Sequence, residues 1–201
     1  MSPPPSLLYL EKPLITHVLY SIGKRLWFEP PTPKSSMIPS KFLEAFRSYS
    51  FDRTLRHVTL DGKSLVNEPG IRKNSQTNRN AVVFVFNWLY NAGVREVYMV
   101  TVDDFQDPHN DEAIETALNR FRVEILNWRK LDLCSTTIER SSSELREVHL
   151  YWSGNNAVLR GWSEPEGLPR LRQLTDVHLY VNSKQVRISK NYGVQQRGPK
   201  S

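Results

Sequence analysis

The chain has 201 residues, of which 39% are hydrophobic and 10% aromatic, five of them tryptophan. That is enough apolar mass for one ordinary domain with flexible ends, or two small ones. No run approaches the roughly 18 uninterrupted apolar residues of a spanning helix, so a membrane span is excluded. Cys134 is the single cysteine, which excludes an internal disulfide and a cysteine-based zinc site. The opening MSPPPSLLYLEKPL has no basic segment leading into an apolar one, so a secretory signal is not expected and a reduced, cytoplasmic protein is.

The net charge of +6 is unevenly spread: residues 1–80 carry +6, residues 81–183 carry −5 and residues 184–201 carry +5. The basic excess therefore sits at the ends. It reads as solvated termini, and no RNP-like aromatic pattern, basic helix or zinc-finger spacing points to specific nucleic-acid binding.

In chain order, eight of the 13 prolines fall within the first 40 residues. Proline removes backbone donors and fixes φ, so residues 1–41 are expected to form a Pro-rich arm, with Leu14–Trp27 a short amphipathic segment within it. A loop is expected over 61–80, where Gly62, Asn67, Pro69, Gly70 and Asn74 mix with basic residues; its packing potential is low and it reads as mobile. Ala81–Asn91 is apolar nearly all round and is followed by Gly93, which predicts a buried helix with a left-handed stop. Arg95–Val102 predicts a strand, with Val97, Met99 and Thr101 on one face and Tyr98, Val100 and Val102 on the other. Apolar residues on both faces predict a strand covered on both sides. Asn110 is placed to cap a helix over Asp111–Phe121. Strands are expected at Val123–Trp128, Leu145–Trp152 and Leu174–Val181, with a short helix around Ser135–Ser142.

The strands share a loose L-x-x-V-x-L pattern: Leu55-x-x-Val58-x-Leu60, Val94-x-x-Val97-x-Met99, Leu145-x-x-Val148-x-Leu150 and Leu174-x-x-Val177-x-Leu179. With Val123 standing for the intervening strand, central positions 97, 123, 148 and 177 are 26, 25 and 29 residues apart. This predicts an α/β domain over 42–183: a parallel-type sheet of four to five strands with alternating helices, degenerate leucine-rich-repeat-like. An open Rossmann-like sheet is the alternative. Residues 184–201 are read as a basic tail.

Among candidate sites, the densest polar cluster is Asp103, Asp104, Asp107, His109, Asp111 and Glu112, just after a strand, where open α/β folds place their ligands. Its oxygens, above all those of Asp103, Asp104 and Asp107, are candidates to hold Mg²⁺ or Ca²⁺. No EF-hand order is present, and Asp107-Pro108 with Asn110 also serves as helix-entry chemistry. His149 and His178 occupy the same place in two strand repeats, which aligns them in neighbouring strands, but no third ligand is evident. Cys134 follows Leu133 and is expected to pack against the core. There is no G-x-S-x-G elbow, no G-x-G-x-x-G and no P-loop, so catalysis is not expected. Ser153-Gly154-Asn155-Asn156 is strong turn chemistry, and Ala157–Trp162 predicts one or two helical turns. Trp152, Asn155, Asn156, Arg160 and Trp162 thus form a candidate partner surface, with a small core beneath the loop as the competing reading.

Phe51–Arg56, Asp111–Leu118, Trp128–Cys134 and above all the run Leu150–Pro169 (LYWSGNNAVLRGWSEPEGLP) resemble the N-terminal region of fungal intracellular subtilisin-like serine proteases. The resemblance spans roughly residues 42–181. It implies no catalytic residue here, because no D-[ST]-G, H-G-T or G-T-S stretch of a subtilisin triad is present. The chain is therefore expected to be a stand-alone or truncated relative. The function expected is a non-catalytic protein-interaction or regulatory module that needs no cofactor and binds a protein of unknown identity. The alternatives are a metal-dependent hydrolase or phosphoryl-transfer enzyme using Asp103, Asp104 and Asp107, and a remnant without activity.

Overall fold

The computed structural model describes residues 27–29, 43–44, 51–66 and 79–181, and the backbone of 184–189. The amphipathic segment expected at 14–26 lies outside the described residues, as do most of the 61–80 loop and residues 190–201. The strands are β1 (Trp27–Phe28), β2 (Thr54–Asp61), β3 (Glu96–Asp103), β4 (Arg122–Arg129), β5 (Glu147–Trp152), β6 (Asp176–Val181) and β7 (Lys184–Ser189). They form one sheet in the order β1-β2-β3-β4-β5-β6-β7. All neighbours pair parallel except β6 and β7, which are antiparallel. The helices are α1 (Ala81–Asn91), α2 (Asp111–Leu118), α3 (Ser135–Ser141) and α4 (Asn156–Ser163). No helix among the described residues is long and apolar enough to cross a membrane.

The expected α/β sheet with alternating helices is therefore present. Its strand order runs without reversal, unlike a Rossmann sheet, whose order turns back at a switch point. Crossovers between parallel strands share one hand, so a sequential order places every helix on the same face. Burial agrees. Val58, Leu60, Val100, Val102, Leu126, Trp128, Val148 and Leu150 share one core with Val85, Phe86 and Leu89 of α1, Ile114 and Leu118 of α2, and Ile138 of α3. The alternate positions are mostly half-buried.

This corrects the expectation that Arg95–Val102 is covered on both sides. Among the described residues no helix lies on the opposite face. The facing of β3 also differs: Val97, Val100 and Val102 are buried, while Tyr98 is exposed and Met99 and Thr101 are half-buried. The strict alternation fails between Val97 and Val100, because Val97 enters the core at the start of the strand.

The repeat frame shifts for the same reason. Val58 pairs with Val100, Val100 with Leu126, Leu126 with Val148 and Val148 with Val177. The structural equivalents in β3 and β4 are thus Val100 and Leu126, three residues later than Val97 and Val123. In this frame the pattern holds in every long strand as Leu55/Val58/Leu60, Val97/Val100/Val102, Val123/Leu126/Trp128, Leu145/Val148/Leu150 and Leu174/Val177/Leu179.

The sheet extends beyond residues 42–183 at both ends. Phe28, within the expected arm, is fully buried against Phe51 and Trp88, with ring centroids 5.9 and 5.6 Å away. Lys184–Ser189, the start of the expected tail, is the antiparallel edge strand. Helix ends follow local chemistry. Asn110 Oδ1 accepts the Ala113 N–H at 2.8 Å to open α2, and Gly93 leaves α1 with φ of 100°.

Trp162 is a core residue. It is 5% exposed, and its indole N–H donates to the Leu133 carbonyl at 2.8 Å. Gly167 closes over it: a Cβ there would stand 2.2 Å from the Gly161 carbonyl oxygen and 2.7 Å from that of Trp162. The partner surface proposed from sequence therefore loses Trp162, while Asn155, Asn156 and Arg160 remain exposed. Trp162→Ala is expected to cost about 3–5 kcal/mol in denaturant unfolding, against no more than about 0.5 kcal/mol for Arg160→Ala.

Candidate functional site

The acidic cluster offered as the alternative metal site does not converge. Asp104 is fully buried, and its carboxylate accepts three hydrogen bonds: from the His109 backbone N–H at 2.9 Å, His109 Nδ1 at 2.8 Å and Trp128 Nε1 at 2.8 Å. His109 Nε2 in turn accepts the Val82 N–H at 3.3 Å, satisfying a donor in the first turn of α1. Asp107 has φ of 53° and an exposed carboxylate 3.4 Å from Arg79 Nη1. Asp103 is half-buried in β3, its backbone paired with Asp61 and Arg129. The three side chains do separate work, with Asp104 anchoring the loop after β3 to β4 and α1.

The other sequence candidates also resolve. Cys134 is exposed, contrary to the expectation that it packs inward, because Leu133 takes the buried position and Cys134 N-caps α3. Trp152 is half-buried, with its indole N–H donating to the Asn155 carbonyl at 2.8 Å. The Asn155 side chain accepts the Ala157 N–H to open α4.

His149 and His178 do align. They are direct partners in the β5–β6 ladder, and their rings stack with centroids 4.4 Å apart and planes within 9°. Glu147 precedes His149 by two residues and so shares its face. Glu147 Oε1 lies 3.0 Å from His149 Nε2 and 2.9 Å from His178 Nε2. His149 Nδ1 lies 2.9 Å from the Tyr180 hydroxyl. If His149 Nε2–H donates to Glu147, its Nδ1 is the acceptor for Tyr180 O–H. Both imidazoles are nearly buried, with side-chain exposures of 11% and 9%.

An aromatic group continues this face. Tyr180 stacks on Tyr151 at 4.6 Å, Phe105 meets Tyr151 edge-on at 5.0 Å, and Tyr151 O–H donates to Asn127 Oδ1 at 2.8 Å. The sheet makes this possible by a local mismatch. β4 and β5 pair at Leu126–Val148 and again at Leu131–Tyr151, so β4 carries two more residues over that stretch. The mismatch leaves the Asn127 amide beside the Tyr151 ring.

Electrostatics follow from burial. Desolvation first, then the charge of His178, lowers the pKa of His149 from its ordinary 6.5, against the opposing pull of Glu147. Desolvation and the neighbouring Tyr180 push Tyr151 up to about 12, with Arg129 acting the other way. Burial raises Tyr180 as well. Elsewhere on the face, burial lowers His57, whose Nε2 lies 2.9 Å from Met99 Sδ.

Sequence reasoning paired the two histidines and missed Glu147, Tyr151 and Tyr180. The signal was present: Glu147-Val148-His149-Leu150-Tyr151 and Asp176-Val177-His178-Leu179-Tyr180 are two copies of acid-V-H-L-Y, and strand period places acid, His and Tyr on one face. No family model, curated protein or solved structure matches this chain.

Asp104→Ala leaves three buried donors without their acceptor and is expected to destabilise the protein by about 3 kcal/mol or more in urea unfolding. His149 gives a pH dependence of defined sign. Its folded pKa lies below 6.5, so below that pH the unfolded chain binds the proton more readily. Its contribution to stability is complete above pH 6.5 and is lost as pH falls through the interval down to the folded value. In metal-free buffer, unfolding midpoints measured from about pH 7.5 to 5 are expected to fall less steeply for His149→Gln than for the parent.

Proposed function

We propose that this chain is a non-catalytic protein-recognition module that engages its partner through the face of the sheet that no described helix covers. The observation that carries the reading is the composition of that face. It presents His57, Thr59 and Asp61 from β2, Met99, Thr101 and Asp103 from β3, and Ile125, Asn127 and Arg129 from β4. β5 and β6 add Glu147, His149, Tyr151, His178 and Tyr180, most of them half-buried. Side chains fixed by stacking and hydrogen bonds lose little freedom when a second surface docks on them, and Tyr and Arg are the residues that most often dominate such contacts. Phe105, 43% exposed at the rim, adds an apolar anchor beside Tyr151.

Two further considerations support it. The L-x-x-V-x-L frame, repeated in consecutive parallel strands, suits a degenerate leucine-rich-repeat-like array, in which the strand face is the binding face. The resemblance of Leu150–Pro169 to the N-terminal region of fungal subtilisin-like proteases suits a cytoplasmic regulatory module that works beside a protease, without a triad of its own.

The test is affinity capture from cell extract with the full chain, followed by measured affinity for the captured partner. A Phe105→Ala/Arg129→Glu variant addresses the sheet face, and Asn156→Asp/Arg160→Glu addresses the α4 loop. The face variant is expected to bind at least about tenfold more weakly, with the loop variant unchanged. Undiminished binding by a folded face variant, or loss confined to the loop variant, removes the sheet-face reading.

A further inference from the structure

We infer that Glu147, His149 and His178 form a binding site for one divalent transition-metal ion of the zinc class, bridging β5 and β6. The ligand atoms of these three side chains lie within 4.8 Å of one another, and they are the group of at least three His, Cys, Asp or Glu side chains among the described residues that meets this spacing. Metal–ligand bonds of about 2.0–2.2 Å place two ligand atoms of a tetrahedral zinc roughly 3.3 Å apart. Glu147 Oε1 stands 3.0 Å from His149 Nε2 and 2.9 Å from His178 Nε2, so small side-chain rotations would convert one arrangement into the other.

The chemistry of the donors is selective. Two imidazole nitrogens and one carboxylate oxygen suit Zn²⁺, Co²⁺, Ni²⁺ or Cu²⁺, whereas Mg²⁺ and Ca²⁺ prefer sets made only of oxygen. The imidazoles bind as free bases. A ligating histidine commonly has its second nitrogen fixed by an outer partner. Tyr180, 2.9 Å from His149 Nδ1, holds that place. On metal binding His149 Nε2 gives up its proton and Nδ1 takes one up, donating it to the Tyr180 oxygen, with no change in the net charge of a neutral ring. Three protein donors leave the fourth position of a four-coordinate ion to water.

The site is built by the fold rather than by local sequence. β5 and β6 are separated by α4 and its following turn, and only their parallel register puts His149 opposite His178. The ion would therefore cross-link two parallel strands and bind the native state alone, which raises stability by mass action.

The experiment uses the full chain without a polyhistidine tag, so that the added ion alone is the probe. Titration with Zn²⁺ by calorimetry is expected to show one equivalent bound, with a rise in Tm. Co²⁺ is expected to give the visible bands of a tetrahedral ion. Glu147→Gln is expected to weaken Zn²⁺ binding at least tenfold, and His149→Gln or His178→Gln to abolish it. His57→Gln, on the same face but two or more strands away, leaves it unchanged. Should a histidine variant fail to fold, long-range ¹H–¹⁵N spectra of the parent settle the question: the ring-nitrogen signals that move with Zn²⁺ must be those of His149 and His178. Absence of stoichiometric Zn²⁺ binding overturns the proposal. So does binding undiminished in the three variants, a Tm rise with Mg²⁺ equal to that with Zn²⁺, or displacement of other histidine signals. Because the readout is the ion alone, the result is independent of whether a protein partner is found.

Discussion

A parallel strand can be reached only by a crossover, and crossovers wound in one hand with no reversal of strand order pile up on one face of the sheet. β2 to β6 obey that constraint without exception. Their core-facing positions, from Val58 through Val100, Leu126 and Val148, meet the helices in one apolar layer. Among the described residues the other face receives no helix, and the strands close it with their own side chains. That is why a parallel sheet here carries a row of histidine, tyrosine, asparagine and arginine, buried or half-buried, where a doubly wound sheet would carry valine and isoleucine. The composition of the open face is thus a consequence of winding, and the candidate site is a part of that face.

The two edges of the sheet are handled differently. At one edge, β1 contributes Phe28, whose ring is packed against Phe51 and Trp88. At the other, β7 reverses direction and pairs along the whole length of β6. An antiparallel strand can be added by a short hairpin, with no crossover and no helix. β7 therefore covers the backbone groups of β6.

Much of this was legible in the sequence. The helix over Ala81–Asn91, its stop at Gly93, the Asn110 cap and the strand-helix alternation all rest on local rules, and those rules were obeyed. What was not legible depended on which face was which. Val94-x-x-Val97-x-Met99 and Val97-x-x-Val100-x-Val102 both fit the strand pattern, because Val94 and Val97 are themselves buried as α1 gives way to β3. Only the pairing of Val100 with Val58 and Leu126 selects the second frame. Glu147 was missed because its link to the second histidine is not local: only the β5–β6 register sets His178 opposite His149, two residues along the strand from Glu147. Trp162 resolves to the competing reading, a small core beneath the loop. A tryptophan in a Gly- and Pro-rich stretch looks exposed, but its indole N–H needed a partner and found one at the Leu133 carbonyl inside the fold.

The contrast between the two histidine clusters separates a structural role from a binding one. His109 has both ring nitrogens engaged by groups that need it for the fold, the Asp104 carboxylate on one side and the first turn of α1 on the other. Each bond closes a connection between consecutive elements, and any ligand there would have to break one. His149 and His178 instead direct their Nε2 atoms towards a single carboxylate oxygen, on a face that no described helix covers. Two ring nitrogens converging on one carboxylate oxygen exceed what holding β5 against β6 requires, since the ladder from Glu147–Asp176 to Trp152–Val181 already does so through the backbone. Convergence beyond the needs of the fold is the physical mark of a site, and along this sheet it falls between β5 and β6.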